Sequence, residues 1–153
     1  MQQSVLFGQN FLNGGQTCVA PDYLLVENSI KSQFIEMLKN EIKRIHSPEP
    51  IKSEALARII NARHFERLIK LIDQKKVIYG GDYNLQDLYI APTIIDNVSF
   101  EDNVMQEEIF GPLLPIIEFE DLNWAIKQVK ENPKPLALYI FGNNRKQINQ
   151  IQE

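Results

Sequence analysis

The stretch "LLPIIEF", Leu113 to Phe119, carries no polar residue until its sixth position, Glu118. A strand with one wet face alternates apolar and polar residues, whereas a strand covered on both faces reads as a continuous apolar run. "YLLV" (Tyr23 to Val26), "LYIAPTII" (Leu88 to Ile95) and "LALYIF" (Leu136 to Phe141) read the same way. "VIYGGDYN" (Val77 to Asn84) reads as a strand followed by a turn, and Pro92 suggests an edge position or a bulge.

Helical periodicity fills the intervals. Ser29 precedes a helix with Ile30, Phe34, Leu38, Ile42 and Ile45 at three- and four-residue steps, ending before "SPEP". A second helical region is expected from about Glu54 to Gln74, with Leu56, Ile59, Ile60, Phe65, Leu68, Ile69 and Ile72 on one broad face. Leu122 to Glu131 reads as a third helix, and "NNRKQINQIQE" from Asn143 begins a last one. Gln3 to Leu12 reads as a short helix that Gly14-Gly15 ends, because glycine takes the left-handed conformation common past a helix terminus. A hairpin turn at Asn13-Gly14 is the rival reading. Doubly apolar strands interleaved with amphipathic helices predict an α/β fold, a three-layer α/β/α arrangement around a mainly parallel sheet.

The 153 residues are one domain by size, and 44% of them are hydrophobic, enough for a sizeable core. A net charge of −4 offers no basic face to nucleic acid or anionic lipid. No apolar run reaches bilayer length and no signal-peptide pattern opens the chain, so the expected location is cytoplasmic. One cysteine and two histidines (His46 and His64) are too few for a Cys/His zinc site, and no metal is expected. His46 falls where a helix ends, a favourable place for a cation against the helix dipole, and His64 reads as a surface or packing residue.

The single cysteine, Cys18, lies in "NGGQTCVAPDY" (Asn13 to Tyr23). A thiol works as a nucleophile when its thiolate is populated, which needs positive potential or donor N–H groups. The stretch has no Lys, Arg or His, but its glycines let the backbone approach a substrate and let amides face an oxyanion. The alternative is a small buried hydrophobe. A second stretch, "MQEEIFGPLLPI" (Met105 to Ile116), places Glu107-Glu108 and Phe110 before the turn Gly111-Pro112. An ionised carboxylate suits a vicinal diol such as a ribose, and Phe110 can lie against a flat heterocycle. The alternative is two solvated acids beside a core aromatic.

Together, "NGGQTCVAPDY" and "EEIFGP" resemble two signature segments of the NAD(P)-dependent aldehyde dehydrogenases, in the family's order and 108 − 18 = 90 positions apart from Cys18 to Glu108. The resemblance continues through "RIINARHFERL" (Arg58 to Leu68), "YIAPTII" (Tyr89 to Ile95) and "KPLALYIF" (Lys134 to Phe141). "CVAPDY" and "KPLALYIF" are most similar to the branch acting on fatty and aromatic aldehydes. The resemblance implies that Cys18 is the nucleophile, adding to an aldehyde to give a thiohemiacetal and then a thioester, with its own N–H as one oxyanion donor. It implies that Glu108 binds the nicotinamide ribose and Phe110 stands beside the nicotinamide, with NAD or NADP as cofactor and a homo-oligomer as the complete enzyme.

Against that pattern, the chain is read as residues 1–153 of a truncated, partial catalytic domain. No glycine-rich phosphate loop is present, so the N-terminal cofactor-binding domain is expected to be absent. The deacylating glutamate and the second oxyanion donor, an asparagine, belong upstream of Cys18 in the family. The chain alone is therefore expected neither to bind the cofactor nor to turn over, and the missing domain would be its partner. Alternatives are a non-catalytic module acting by association and a cofactor-free thiol esterase.

Overall fold

The computed structural model describes Phe11 and residues 13–47, 49–54 and 56–152. Strand β1 (Leu24–Glu27) runs directly into helix α1 (Asn28–His46). Helix α2 (Ala62–Leu71), strands β2 (Val77–Tyr79), β3 (Tyr83–Asn84), β4 (Tyr89–Ile90), β5 (Thr93–Ile95) and β6 (Leu113–Phe119), then helices α3 (Leu122–Glu131) and α4 (Arg145–Gln152) follow. The main sheet has the order β1-β6-β5-β2. β6 pairs in parallel with β1 (Leu24 opposite Ile116) and with β5 (Thr93 opposite Leu113), while β2 closes one edge antiparallel to β5. β3 and β4 form a separate two-stranded ribbon.

The doubly apolar strands serve two cores. Leu114 and Ile116 of β6, Ile94 of β5 and Leu24 and Val26 of β1 pack with Ile35, Leu38 and Ile42 of α1. Leu113 and Ile117 of β6, Ile95 of β5 and Leu25 of β1 pack with Phe65 and Leu68 of α2 on the other face. Alternate residues of one run thus enter opposite cores, which is the period-two geometry of a strand in a covered sheet. The three-layer α/β/α arrangement with a mainly parallel sheet is as expected.

Several expectations are corrected in detail. α1 starts at Asn28 and not after Ser29, and its buried stripe is Ile35, Leu38, Ile42 and His46. Ile30 is 51% exposed, because the sequence holds two overlapping stripes and the sheet face selects one. α2 begins at Ala62 and not near Glu54. Upstream, backbone donors are engaged by distant acceptors: Ile59 N–H by the Leu88 carbonyl at 2.9 Å, and Ile60 N–H by Gln16 Oε1 at 3.0 Å. The Asn61 side chain then caps the helix by accepting from His64 N–H at 2.9 Å. "LYIAPTII" is two strands, β4 and β5, parted at Ala91-Pro92.

"LALYIF" is not a strand: it pairs with none of β1–β6, and Leu136 is 75% exposed. Apolar continuity signals burial, but a strand exists only beside a neighbour. His46 is fully buried, its ring T-shaped to that of Phe11, and not at a wet helix end; burial lowers its pKa and so disfavours the cation expected there. The helix expected over Gln3 to Leu12 lies outside the described residues except for Phe11.

Candidate active site

β1 and β6 are parallel neighbours, so the segments that precede them emerge at the same end of the sheet. One is the Cys18 loop and the other the "EEIFGP" loop. The fold therefore brings the two motifs together, although 90 positions separate Cys18 from Glu108.

The Cys18 loop begins where helical backbone stops. Gly14 and Gly15 take φ of 58° and 69°, and Gly14 N–H donates to the Phe11 carbonyl at 3.1 Å. A Cβ on Gly14 would stand 3.2 Å from the Ala57 carbonyl oxygen, so glycine answers both the left-handed backbone and the close approach. Ala20 N–H then donates to the Thr17 carbonyl at 3.0 Å, closing a turn with Cys18 and Val19 at its centre. Cys18 is exposed, which removes the reading of it as a small buried hydrophobe.

The acidic loop is held from two sides. Ile109 N–H donates to Asp22 Oδ1 at 2.8 Å, a bond that reaches back to the Cys18 loop. Arg67 of α2 donates to the carbonyls of Glu108, at 3.3 Å, and Ile109, and pairs with the Glu107 carboxylate at 3.0 Å. Burial raises the Asp22 pKa, the Ile109 N–H bond opposes the rise, Glu108 adds to it and Arg67 lowers it. The Glu108 side chain is exposed, so its carboxylate faces solvent. Phe110 takes φ of 48° and is half-buried. At Gly111 the chain passes against α2 so closely that a Cβ would lie 2.3 Å from Leu68 Cδ2.

Two hollows meet at Phe110. One is a small cavity of about 10 Å³ between the loops, lined by Thr17, Pro21, Asp22, Glu108 and Phe110 among others. The other is a cleft of about 420 Å³ lined by Asn13, Gln16, Ala57, Arg58, Ile60, His64 and Phe110. Glu108 and Phe110 therefore border the small cavity together with Thr17, Ala20 and Pro21 of the Cys18 loop, while Cys18 itself lines neither hollow. His64 is exposed at the cleft.

Residues 2–153 match the family described as aldehyde dehydrogenase family. The chain belongs to the aldehyde dehydrogenase family. It is similar to a dimeric NADP-preferring aldehyde dehydrogenase of Mus musculus, 49% identical over 141 residues that cover 92% of this chain and 31% of the relative. It is 42% identical to an aldehyde dehydrogenase family 3 member A2 of Pongo abelii over 92% of this chain and 29% of that protein. Among solved structures, a substrate-bound state of the Staphylococcus aureus aldehyde dehydrogenase AldH superposes with a TM-score of 0.94 at 37% identity, covering 98% of this chain and 33% of that one. The chain thus spans about a third of the length of these relatives, and the family 3 relatives agree with the branch read from "CVAPDY" and "KPLALYIF".

The sequence reading missed Gln16, Asp22 and Arg67 as site residues. All three lie inside or next to the quoted motifs, but their partners are 40 to 87 positions away. The signal available was a polar side chain within a motif whose hydrogen-bonding capacity exceeds what its local partners take up.

Proposed function

We propose that this chain carries the thiol and nicotinamide-side residues of an NAD(P)-dependent aldehyde dehydrogenase, with Cys18 as nucleophile, Glu108 on the nicotinamide ribose and Phe110 beside the nicotinamide. The observation that carries the reading is the convergence of two separate motif loops, one exposing Cys18 and the other Glu108, around hollows that share Phe110. The residues present fit such a cofactor. Glu108 offers two acceptor oxygens for a vicinal diol, and the Phe110 ring offers a flat apolar wall.

The Cys18 thiolate adds to the aldehyde carbonyl carbon, the C=O π electrons move to oxygen, and a thiohemiacetal forms. Cys18 N–H, in the turn between Thr17 and Ala20, supplies one donor to that oxyanion. Bound NAD(P) would supply the hydride acceptor that turns an aldehyde into the oxidation level of an acid. Release of the acyl group from Cys18 by water is assigned to no residue of this chain, so turnover is proposed for the complete enzyme, a cytoplasmic homo-oligomer that includes a cofactor-binding domain. The exposed row Leu136, Leu138, Tyr139 and Phe141 favours a second reading, a non-catalytic module that works by association.

Alkylation by iodoacetamide across pH separates the two, since Cys18 is the only thiol and intact mass counts one event. The nucleophile reading expects native protein to label faster than denatured protein and to keep labelling below the ordinary thiol pKa of about 8.5. Native labelling no faster than denatured at every pH would remove that reading and leave the module.

A further inference from the structure

We propose that Gln16 is the positioning residue of the Cys18 loop, its primary amide docking the loop onto the segment Arg58–Ile60 in the manner of a one-residue strand neighbour. The inference rests on the reading of Cys18 as nucleophile, which gives the loop's position its importance.

Gln16 Nε2 donates to the Arg58 carbonyl at 3.0 Å and to the Asn13 carbonyl at 3.1 Å, and Oε1 accepts Ile60 N–H at 3.0 Å. In extended backbone the carbonyl of one residue and the N–H two residues on point to the same edge. A single residue of a parallel neighbouring strand offers one N–H and one C=O to such a pair. The Gln16 amide offers the same two groups from a side chain. Its second N–H, on the Asn13 carbonyl, ties the start of the glycine turn to the same anchor.

The anchor is rigid in its own right. Ile59 is 2% exposed, and its N–H bonds the Leu88 carbonyl on the opposite edge. The Arg58 guanidinium donates to the Ile51 carbonyl at 2.7 Å and lies 5.1 Å from the Tyr89 ring centroid. On the loop side, Gln16 immediately precedes the Thr17–Ala20 turn that holds Cys18. The segment 58–60 has several partners besides Gln16, whereas the Thr17–Ala20 turn has few: Gln16 N–H on the Asn13 carbonyl at 3.2 Å and Tyr139 Oη–H on the Val19 carbonyl at 3.3 Å stand beside the Gln16 amide.

The test is backbone order of the whole chain by ¹⁵N relaxation in wild type, Gln16→Met and Gln16→Glu. In Gln16→Met, residues Thr17–Ala20 should fall from rigid order parameters near 0.85 to below about 0.6, while Arg58–Ile60 keep theirs. In Gln16→Glu, the carboxylate faces two carbonyl oxygens at neutral pH and the loop should loosen. Protonation gives back one O–H donor beside the oxygen that accepts Ile60 N–H, so loop order should return as pH falls, a profile absent from wild type. Unchanged loop order in Gln16→Met overturns the proposal, as does equal loss of order in 58–60, which marks a merely structural role. Should Gln16→Met not fold, the Gln16→Glu series decides alone: loop order independent of pH overturns the proposal. Cys18 alkylation fails separately, since an inert thiol in an ordered, Gln16-dependent loop defeats the nucleophile reading and leaves the positioning result standing.

Discussion

Gly111→Ala tests whether the turn after Phe110 is fitted to α2. The added Cβ would lie 2.3, 2.7 and 3.1 Å from Cδ2, Cδ1 and Cγ of Leu68. Carbon atoms in contact sit about 3.5–4.0 Å apart, so the Leu68 side chain must retreat by more than an ångström. It has nowhere to go, being 0% exposed among Ile59, Phe65, Ile109 and Leu113. Gly111 does not occupy the left-handed region, so the cost is steric alone. Overpacking of this kind costs about 2 kcal/mol, and Leu68→Ala by itself about 3 kcal/mol. In the double variant the new methyl enters space that Leu68 vacates, so the pair should cost about 3 kcal/mol and not the additive ~5 kcal/mol, a coupling of about 2 kcal/mol. Urea unfolding of the four proteins with equal m values reads this directly. Additivity within about 0.5 kcal/mol would refute the contact between the turn and the helix.

Two further outcomes follow from buried charge. Burial holds the His46 pKa below its ordinary value, so below about pH 6.5 the unfolded chain takes up a proton that the folded chain refuses. Stability should therefore drop as the pH is lowered through that window, by at most about 1.4 kcal/mol per unit from this residue, and His46→Leu should flatten the slope measured by urea unfolding. Lys31 pairs with Asp96 at 3.0 Å and Glu118 at 2.5 Å, tying the start of α1 to the ends of β5 and β6. Lys31→Met strands the buried Asp96 and should cost about 3 kcal/mol in urea unfolding, much of it recovered by adding Asp96→Asn.

What the sequence made legible tracks what is local. Apolar continuity in "LLPIIEF" and helical steps in Leu122 to Glu131 are short-range patterns, and both elements appear where they were read. The start of α2 was misread because it is decided by Gln16 and Leu88, which take the amides of Ile60 and Ile59 out of helical register. His46 was misread for the same reason: its position at a helix end is local, but the Phe11 ring that covers it is 35 positions away in a separate segment. At the site, Cys18, Glu108 and Phe110 stood out by motif, whereas the side chains that hold their loops did not. A polar residue reveals its role through its partner, and Asp22 finds Ile109 only once β1 lies beside β6.

That pairing also accounts for the spacing of the two motifs. Parallel neighbours cannot be joined by a hairpin, and a chain leaving the carboxyl end of β1 must cross over before entering β6 at its amino end. Two loops at the amino ends of parallel strands are therefore separated by at least a full crossover, and here that interval holds α1, α2 and β2 to β5. Open parallel sheets usually take ligands at the carboxyl ends of their strands. Here Cys18, Glu108 and Phe110 all precede their strands, so the residues proposed for the site lie at the amino ends of β1 and β6. A side chain that precedes a strand is not held by that strand's ladder, and its position must come from cross-loop bonds. Gln16 to the segment 58–60, Asp22 to Ile109, and Arg67 to Glu108 and Ile109 are those bonds. They place the thiol and the carboxylate in one frame despite 90 intervening positions.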